Sequence, residues 1–204
     1  MGFWDDKIAP ALIACACSTR PILKTRRQIV PQASGAVLEL GMGAGANLAY
    51  YDRARVAGIS AVEPSSAMRE RTLKVAAAAG LEVDLRDGVG EALPFADQSF
   101  DCVVCTYTLC SVQDVAKTLT EARRVLKPGG RFLFCEHGLA PDPGPAAWQR
   151  RLEPLWKPLA GGCHLTRDPV AQIKAAGFTL SDLACAYLPK TPKPLGWVSR
   201  GCGV

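Results

Sequence analysis

With 204 residues, 49% of them hydrophobic, the chain is long enough to bury one sizeable core without disulfide support. Its formal net charge of +5 is scattered rather than gathered into the dense basic stripe that nucleic acid needs, so no nucleic-acid partner is expected. Nine cysteines, an odd number at irregular spacing, argue against a disulfide framework and for a reducing compartment, the cytoplasm.

The first 35 residues read as two helices, an apolar one around residues 8–17 and a second over 22–30, followed by a turn at 31–35. An apolar stretch of about ten residues is too short to cross a bilayer. The opening residues lack the basic and apolar regions of a secretory signal, so none is expected. Arg20, Lys24, Arg26 and Arg27 form a basic cluster, read as a solvated helix face. An acidic substrate or peripheral contact with membrane lipid is the alternative. Residues 1–35, with Leu12 and Ile13, are expected to form a helical lid over a core at 36–204, the whole being one domain.

From Ala36 onward, short apolar strands alternate with helical segments, the pattern of a parallel α/β sheet. Strands are predicted at 36–40, 58–63, 81–86, 100–106, 131–137 and 179–187. A helix over 65–79 starts on Ser65 as cap and stops at Gly80. A second, over 111–127, carries Val112, Val115, Leu119, Ala122, Val125 and Leu126 on one face and ends at Lys127-Pro128-Gly129-Gly130. A third spans 146–159, where Trp148 and Trp156 either wall a pocket or join the core. The proline-rich link at 189–194 is so short that the final segment, 195–204, must pair antiparallel to the strand before it.

Glu39-Leu40-Gly41-Met42-Gly43-Ala44-Gly45 lies where the first strand is expected to pass into a helix. Glycines there let a ligand approach the backbone, and a helix N-terminus would offer free N–H groups. Glu63 ends the next strand, twenty-two residues after Gly41, where a carboxylate can accept both hydroxyls of a ribose. Any adenosine cofactor fits so far, since Gly41, Gly43 and Ala46 also satisfy the dinucleotide fingerprint. Glu39 places an anion beside the loop, which favours a ligand carrying ammonium and sulfonium charges over a pyrophosphate.

Taken with Glu63-Pro64-Ser65, Glu91-Ala92-Leu93-Pro94-Phe95, Ser99-Phe100-Asp101-Cys102-Val103-Val104 and Arg124-Val125-Leu126-Lys127-Pro128-Gly129-Gly130, this loop resembles the class I S-adenosylmethionine-dependent methyltransferases of the ubiquinone/menaquinone-biosynthesis type. The resemblance implies a Rossmann-like, seven-stranded, mostly parallel sheet with one antiparallel C-terminal strand and helices on both faces. It implies S-adenosylmethionine as cofactor. Glu39, Gly41, Gly43 and Gly45 then meet its methionine and ribose parts, Glu63 and Pro64 the ribose, and Val89, Gly90 and Glu91 the adenine. Cys105 and Thr106 lie under the methionine part. Val89 replaces a frequent Asp, leaving its backbone N–H for the adenine.

Cys105 to Ser111, Glu136-His137-Gly138 and Gly161-Gly162-Cys163-His164-Leu165 are similar, more narrowly, to an uncharacterised bacterial methyltransferase group and to animal thiol S-methyltransferases. That similarity implies a small-molecule acceptor, with a thiol as the first choice and a phospholipid amine or quinone precursor as alternatives. A cofactor-binding protein without catalysis is the non-enzyme alternative. His137 and His164, the only two histidines, are candidate bases or substrate-orienting groups, against a structural role bonded to backbone. Cys110 reads as an inert buried thiol, and Glu136 as the partner of a helix end or an arginine. No metal is expected, because Cys102-x-x-Cys105 lies in a strand, where residues three apart face opposite ways. Oligomeric state is not legible.

Overall fold

The computed structural model describes residues 9–204, with side chains from Ile13 onward. Seven strands form one sheet: β1 (Gly35–Leu40), β2 (Val56–Val62), β3 (Val83–Arg86), β4 (Phe100–Thr106), β5 (Leu126–His137), β6 (Leu180–Tyr187) and β7 (Trp197–Gly203). Their order is β3-β2-β1-β4-β5-β7-β6. The first five pair parallel, and β7 runs antiparallel between β5 and β6. This is the expected sheet. The link from β6 to β7 holds only the four-residue α7 (Lys193–Gly196), too short for a crossover, so β7 must reverse direction.

Alternation along the pleat divides the core between the two faces of the sheet. Val37, Val104 and Leu133 pack on one face, Leu38, Val103 and Phe132 on the other. Cys102 and Cys105 fall into opposite clusters, as residues three apart on a strand must. On the first face lie Ile29 from α2 (Arg20–Ile29) and Ala76 from α3 (Ser66–Ala79). Leu119, Ala122 and Val125 of α4 (Val115–Val125) cover the second. Ser65 caps α3 by accepting from the Met68 N–H, and Gly80 ends it at φ +61°.

Several expectations need correction. No α-helix follows the glycine loop; the chain turns instead through a single 3-10 segment at Leu48–Tyr50. Gly41, Gly43 and Gly45 all hold positive φ, which no right-handed helix can start from. The helix expected from 111 begins at Val115, because Asp114 accepts from the Lys117 N–H at 3.0 Å and so sets the cap. Residues 107–114 become a loop at the end of β4. Strand β5 begins before the Pro-Gly segment, not after it: Leu126 pairs with Phe100 and Arg131 with Cys102, so Lys127–Gly130 bulges out.

Arg26 departs from the solvated reading of its cluster, being 5% exposed, while Arg20, Lys24 and Arg27 are exposed as expected. Trp148, on α5 (Pro143–Leu159), is 55% exposed and neither walls a pocket nor joins the core. Among the described residues, no helix is long and apolar enough to cross a membrane.

The chain builds β1, β2 and β3 outward in one direction and then returns to place β4 on the other side of β1. Such a reversal opens a crevice beyond the carboxyl ends of β1 and β4, where open α/β sheets hold ligands.

Candidate active site

A cleft of about 640 Å³ occupies that crevice. Gly41, Gly43, Glu63, Pro64, Val89, Gly90, Glu91 and Thr106 line it, as expected from the sequence. Glu39, Gly45, Cys105, His137 and His164 do not.

Each glycine has its own reason. A side chain at Gly41 would strike Thr108, and one at Gly90 would strike Thr118. At Gly45 it would press on Leu48 and Thr72. Gly43 alone of these four opens into free space, at φ +59°, so its missing side chain leaves room in the cleft itself. The Thr72 hydroxyl donates to the Gly43 carbonyl at 2.7 Å and fixes the turn.

Glu63 is 8% exposed and accepts from the Gly43 N–H at 2.8 Å and the Ser65 N–H at 2.9 Å. Burial raises its carboxyl pKa, and these two donors oppose the rise. The Glu91 carboxylate also accepts from the Gln113 and Asp114 N–H groups, tying down the loop before α4. Val89, 44% exposed, offers an apolar edge beside Met68 and Pro64.

Glu39 lies behind the loop, 1% exposed. It accepts from the Tyr51 hydroxyl at 2.6 Å and from Asn47 Nδ2 at 2.9 Å. Burial pushes its carboxyl up to about 7, against the pull of Tyr51, Arg26 and Asn47. Arg26 completes this network from α2. Its Nη1 donates to Asn47 Oδ1 at 2.9 Å and to Thr106 Oγ1 at 2.5 Å, while its Nε is buried without a partner.

The other half of the cleft is apolar. Ile13, Ala14 and Cys17 reach it from α1 (Ala9–Ala16) and the turn beyond, facing Tyr107, Ser111 and Gly161. Tyr107 holds φ +56°, a conformation that costs a non-glycine residue about 1–2 kcal/mol. Its hydroxyl pairs with Thr25 at 2.7 Å, Arg26 lies over its ring, and the next N–H, of Thr108, donates to Glu136 at 2.8 Å. Glu136 thus anchors a loop rather than an arginine.

Both histidines lie outside the lining. His137 sits one layer back, its ring stacked on Tyr107 at 6.4 Å and its Nε2 3.1 Å from Cys163 Sγ. His164 Nδ1 is 3.0 Å from Glu153, which also accepts from the Thr166 N–H. Burial would raise the Glu153 pKa, but these bonds outweigh it and hold it low. The residues missed in the sequence are Arg26 and Tyr107. Arg26 carried one signal: it stands a turn before Ile29 on the helix face that α2 buries.

The parallel sheet, the crevice beside β1 and the acid after β2 define a class I S-adenosylmethionine-dependent methyltransferase, and the chain belongs to that family. The methyltransferase domain family matches residues 38–134. The chain is 35% identical to thiol S-methyltransferase TMT1B of Homo sapiens, covering 90% of this chain and 78% of that protein. It is 39% identical to the Rattus norvegicus TMT1B over 81% of this chain, spanning 66% of that protein's length. The crystal structure of YcgJ from Bacillus subtilis superposes with a TM-score of 0.62 at 20% identity, covering 96% of this chain and 95% of that one.

Proposed function

We propose that this enzyme methylates a small apolar thiol. The single observation behind this reading is the division of one cleft into a polar half and an apolar half. S-adenosylmethionine supplies an electrophilic methyl group on a sulfonium, and the protein supplies position, charge and exclusion of water. The polar half suits it. Gly43 leaves space for the ligand, Glu63 turns its remaining lone pairs to the ribose, and Val89 and Gly90 border the adenine. The unpartnered Nε of Arg26 supports a contact with the carboxylate of the methionine part. Glu39, Gly45 and Cys105 act from behind, holding the loop and the end of β4.

Ile13, Ala14, Cys17 and Tyr107 offer the acceptor few polar partners, which favours a soft, poorly hydrated nucleophile over a charged amine. The relatives named as thiol S-methyltransferases support the same choice. The described part of the N-terminal segment, residues 9–35, then acts as a lid on one domain, residues 1–8 of the expected lid lying outside the described residues, and the nine free thiols suit the cytoplasm. His137 and His164 serve as positioning residues, His137 through Tyr107 and His164 through Glu153. Neither histidine is in the lining to take the proton, so the rate should follow ionisation of the acceptor, whose thiol pKa is about 8.5 when free.

The test is transfer of label from S-adenosylmethionine to a panel of alkyl thiols, phosphatidylethanolamine vesicles and phenolic quinone precursors. Methylated thiol is the expected product. Label only on lipid amines or ring carbon would overturn the acceptor. Across thiols of different acidity, the midpoint of the pH–rate profile should move with the thiol, and His137→Gln should lower the rate without moving it.

A further inference from the structure

Cys110 leaves the loop after β4, His137 closes β5, and Cys163 sits in the turn after α5. Their two Sγ atoms and one ring nitrogen lie within 4.8 Å of one another. We propose that Cys110, His137 and Cys163 form a binding site for a soft transition-metal ion, with zinc as its expected occupant.

The geometry is close to what such an ion needs. Zinc–sulfur bonds of about 2.3 Å and zinc–nitrogen bonds of about 2.0 Å place tetrahedral donors about 3.5–3.8 Å apart. Shifts of under about one ångström would therefore close this set around an ion. Backbone bonds hold the three donors in place before any ion arrives. The His164 N–H donates to the Cys110 carbonyl at 2.8 Å, and the Gly138 N–H, beside His137, donates to Trp197 at 3.1 Å.

The chemistry also suits burial. Cys110 and Cys163 are buried and His137 is half-buried. Two thiolates and a neutral imidazole cancel the charge of a divalent ion, so the filled site adds no net charge to the interior. Binding forms two metal–sulfur bonds and one metal–nitrogen bond and releases the two thiol protons to water, with no oxidant involved. Sulfur and imidazole donors select zinc or copper(I) over magnesium or calcium.

Three protein ligands leave a tetrahedral ion one open position. Cys17 lines the cleft and lies within electrostatic range of Cys163. Ser111 and Gly161, neighbours of two of the ligands, also line the cleft. An ion here would tie together the wall that faces the acceptor, whichever acceptor that is.

Cobalt(II) titration of the reduced chain tests the site, in a background where the exposed Cys15 and Cys185 are serine. One equivalent should produce a thiolate-to-cobalt charge-transfer band that zinc abolishes. Cys110→Ser and Cys163→Ser should each remove half of the band or more. Absence of the band, or its survival in the double variant, would overturn the proposal. If the serine variants fail to fold, alkylation of the original protein by N-ethylmaleimide replaces them. Zinc should slow modification of Cys110 and Cys163 at least tenfold relative to a chelator while leaving the buried Cys202 unchanged, and equal rates would overturn the site. Neither readout involves methyl transfer, so this proposal and the acceptor assignment fail separately.

Discussion

Replacing Glu63 with Ala deletes a buried carboxylate whose free lone pairs face the cleft, and cofactor affinity should fall by about 1.5–3 kcal/mol, the range for hydrogen bonds to a charged group. Calorimetric titration with S-adenosylhomocysteine measures this directly, and an unchanged Kd would show the ribose held elsewhere. Gly43→Ala should fold with a loss of about 1–2 kcal/mol, because the residue keeps φ +59°, yet lose the cofactor from a methyl group placed in its space. Glu39 makes a different prediction. Its folded pKa of about 7 lies above the ordinary 4.5, so its contribution to stability is complete below pH 4.5 and is lost as pH rises through 7. A difference of that size corresponds to about 3 kcal/mol. Glu39→Gln, which keeps an acceptor for Tyr51, should therefore gain in Tm over the original between pH 5 and 8. Parallel melting curves at all pH values would show that Glu39 does not titrate in that range.

Among the elements, the start of α4 forms the wall of the cleft that Val89, Gly90 and Glu91 also line. Asp114 caps this helix, and Glu91 holds the preceding N–H groups. Asp114→Ala should cost about 0.5–2 kcal/mol in chemical denaturation. It should also weaken cofactor binding, since Gln113, Asp114 and Lys117 line the cleft. A loss of stability with unchanged affinity would separate the cap from the site. The apolar periodicity over 111–127 was legible, but it extends past the true helix at both ends. Val112 is partly buried from the loop and Leu126 from β5, so burial outside the helix imitates the helical pattern. The glycine loop misled in the opposite sense. Gly41 and Gly43 of its fingerprint fall on the cleft lining, but three positive-φ glycines take up the connection with turns and leave a single 3-10 segment where a helix was expected.

For the whole molecule, S-adenosylmethionine or its demethylated product should raise Tm, by about 2.7 kcal/mol of stabilisation at one hundred times Kd, while NAD and NADP should not. Stabilisation by the dinucleotides alone would contradict the cleft as described. Local sequence determined the alternation of strands and helices, the antiparallel last strand, the caps of α3 and the pairing of a glycine loop with an acid after the next strand, because each depends on spacing within a few residues or on a short link. Tertiary structure decided the rest. Arg26 reaches the cleft only because α2 packs against β5 and β7 and brings its guanidinium to Thr106 at the end of β4. Tyr107 keeps its strained backbone only because Thr25 and Arg26 from α2 and Glu136 from β5 converge on it and its neighbour Thr108. Cys110, His137 and Cys163 show the same limit, since their meeting depends on β4 and β5 being neighbours and on where the turn after α5 comes to rest. Periodicity reports which way a side chain points from its own backbone, whereas its neighbours across the molecule are set by strand order and by the packing of one element on another.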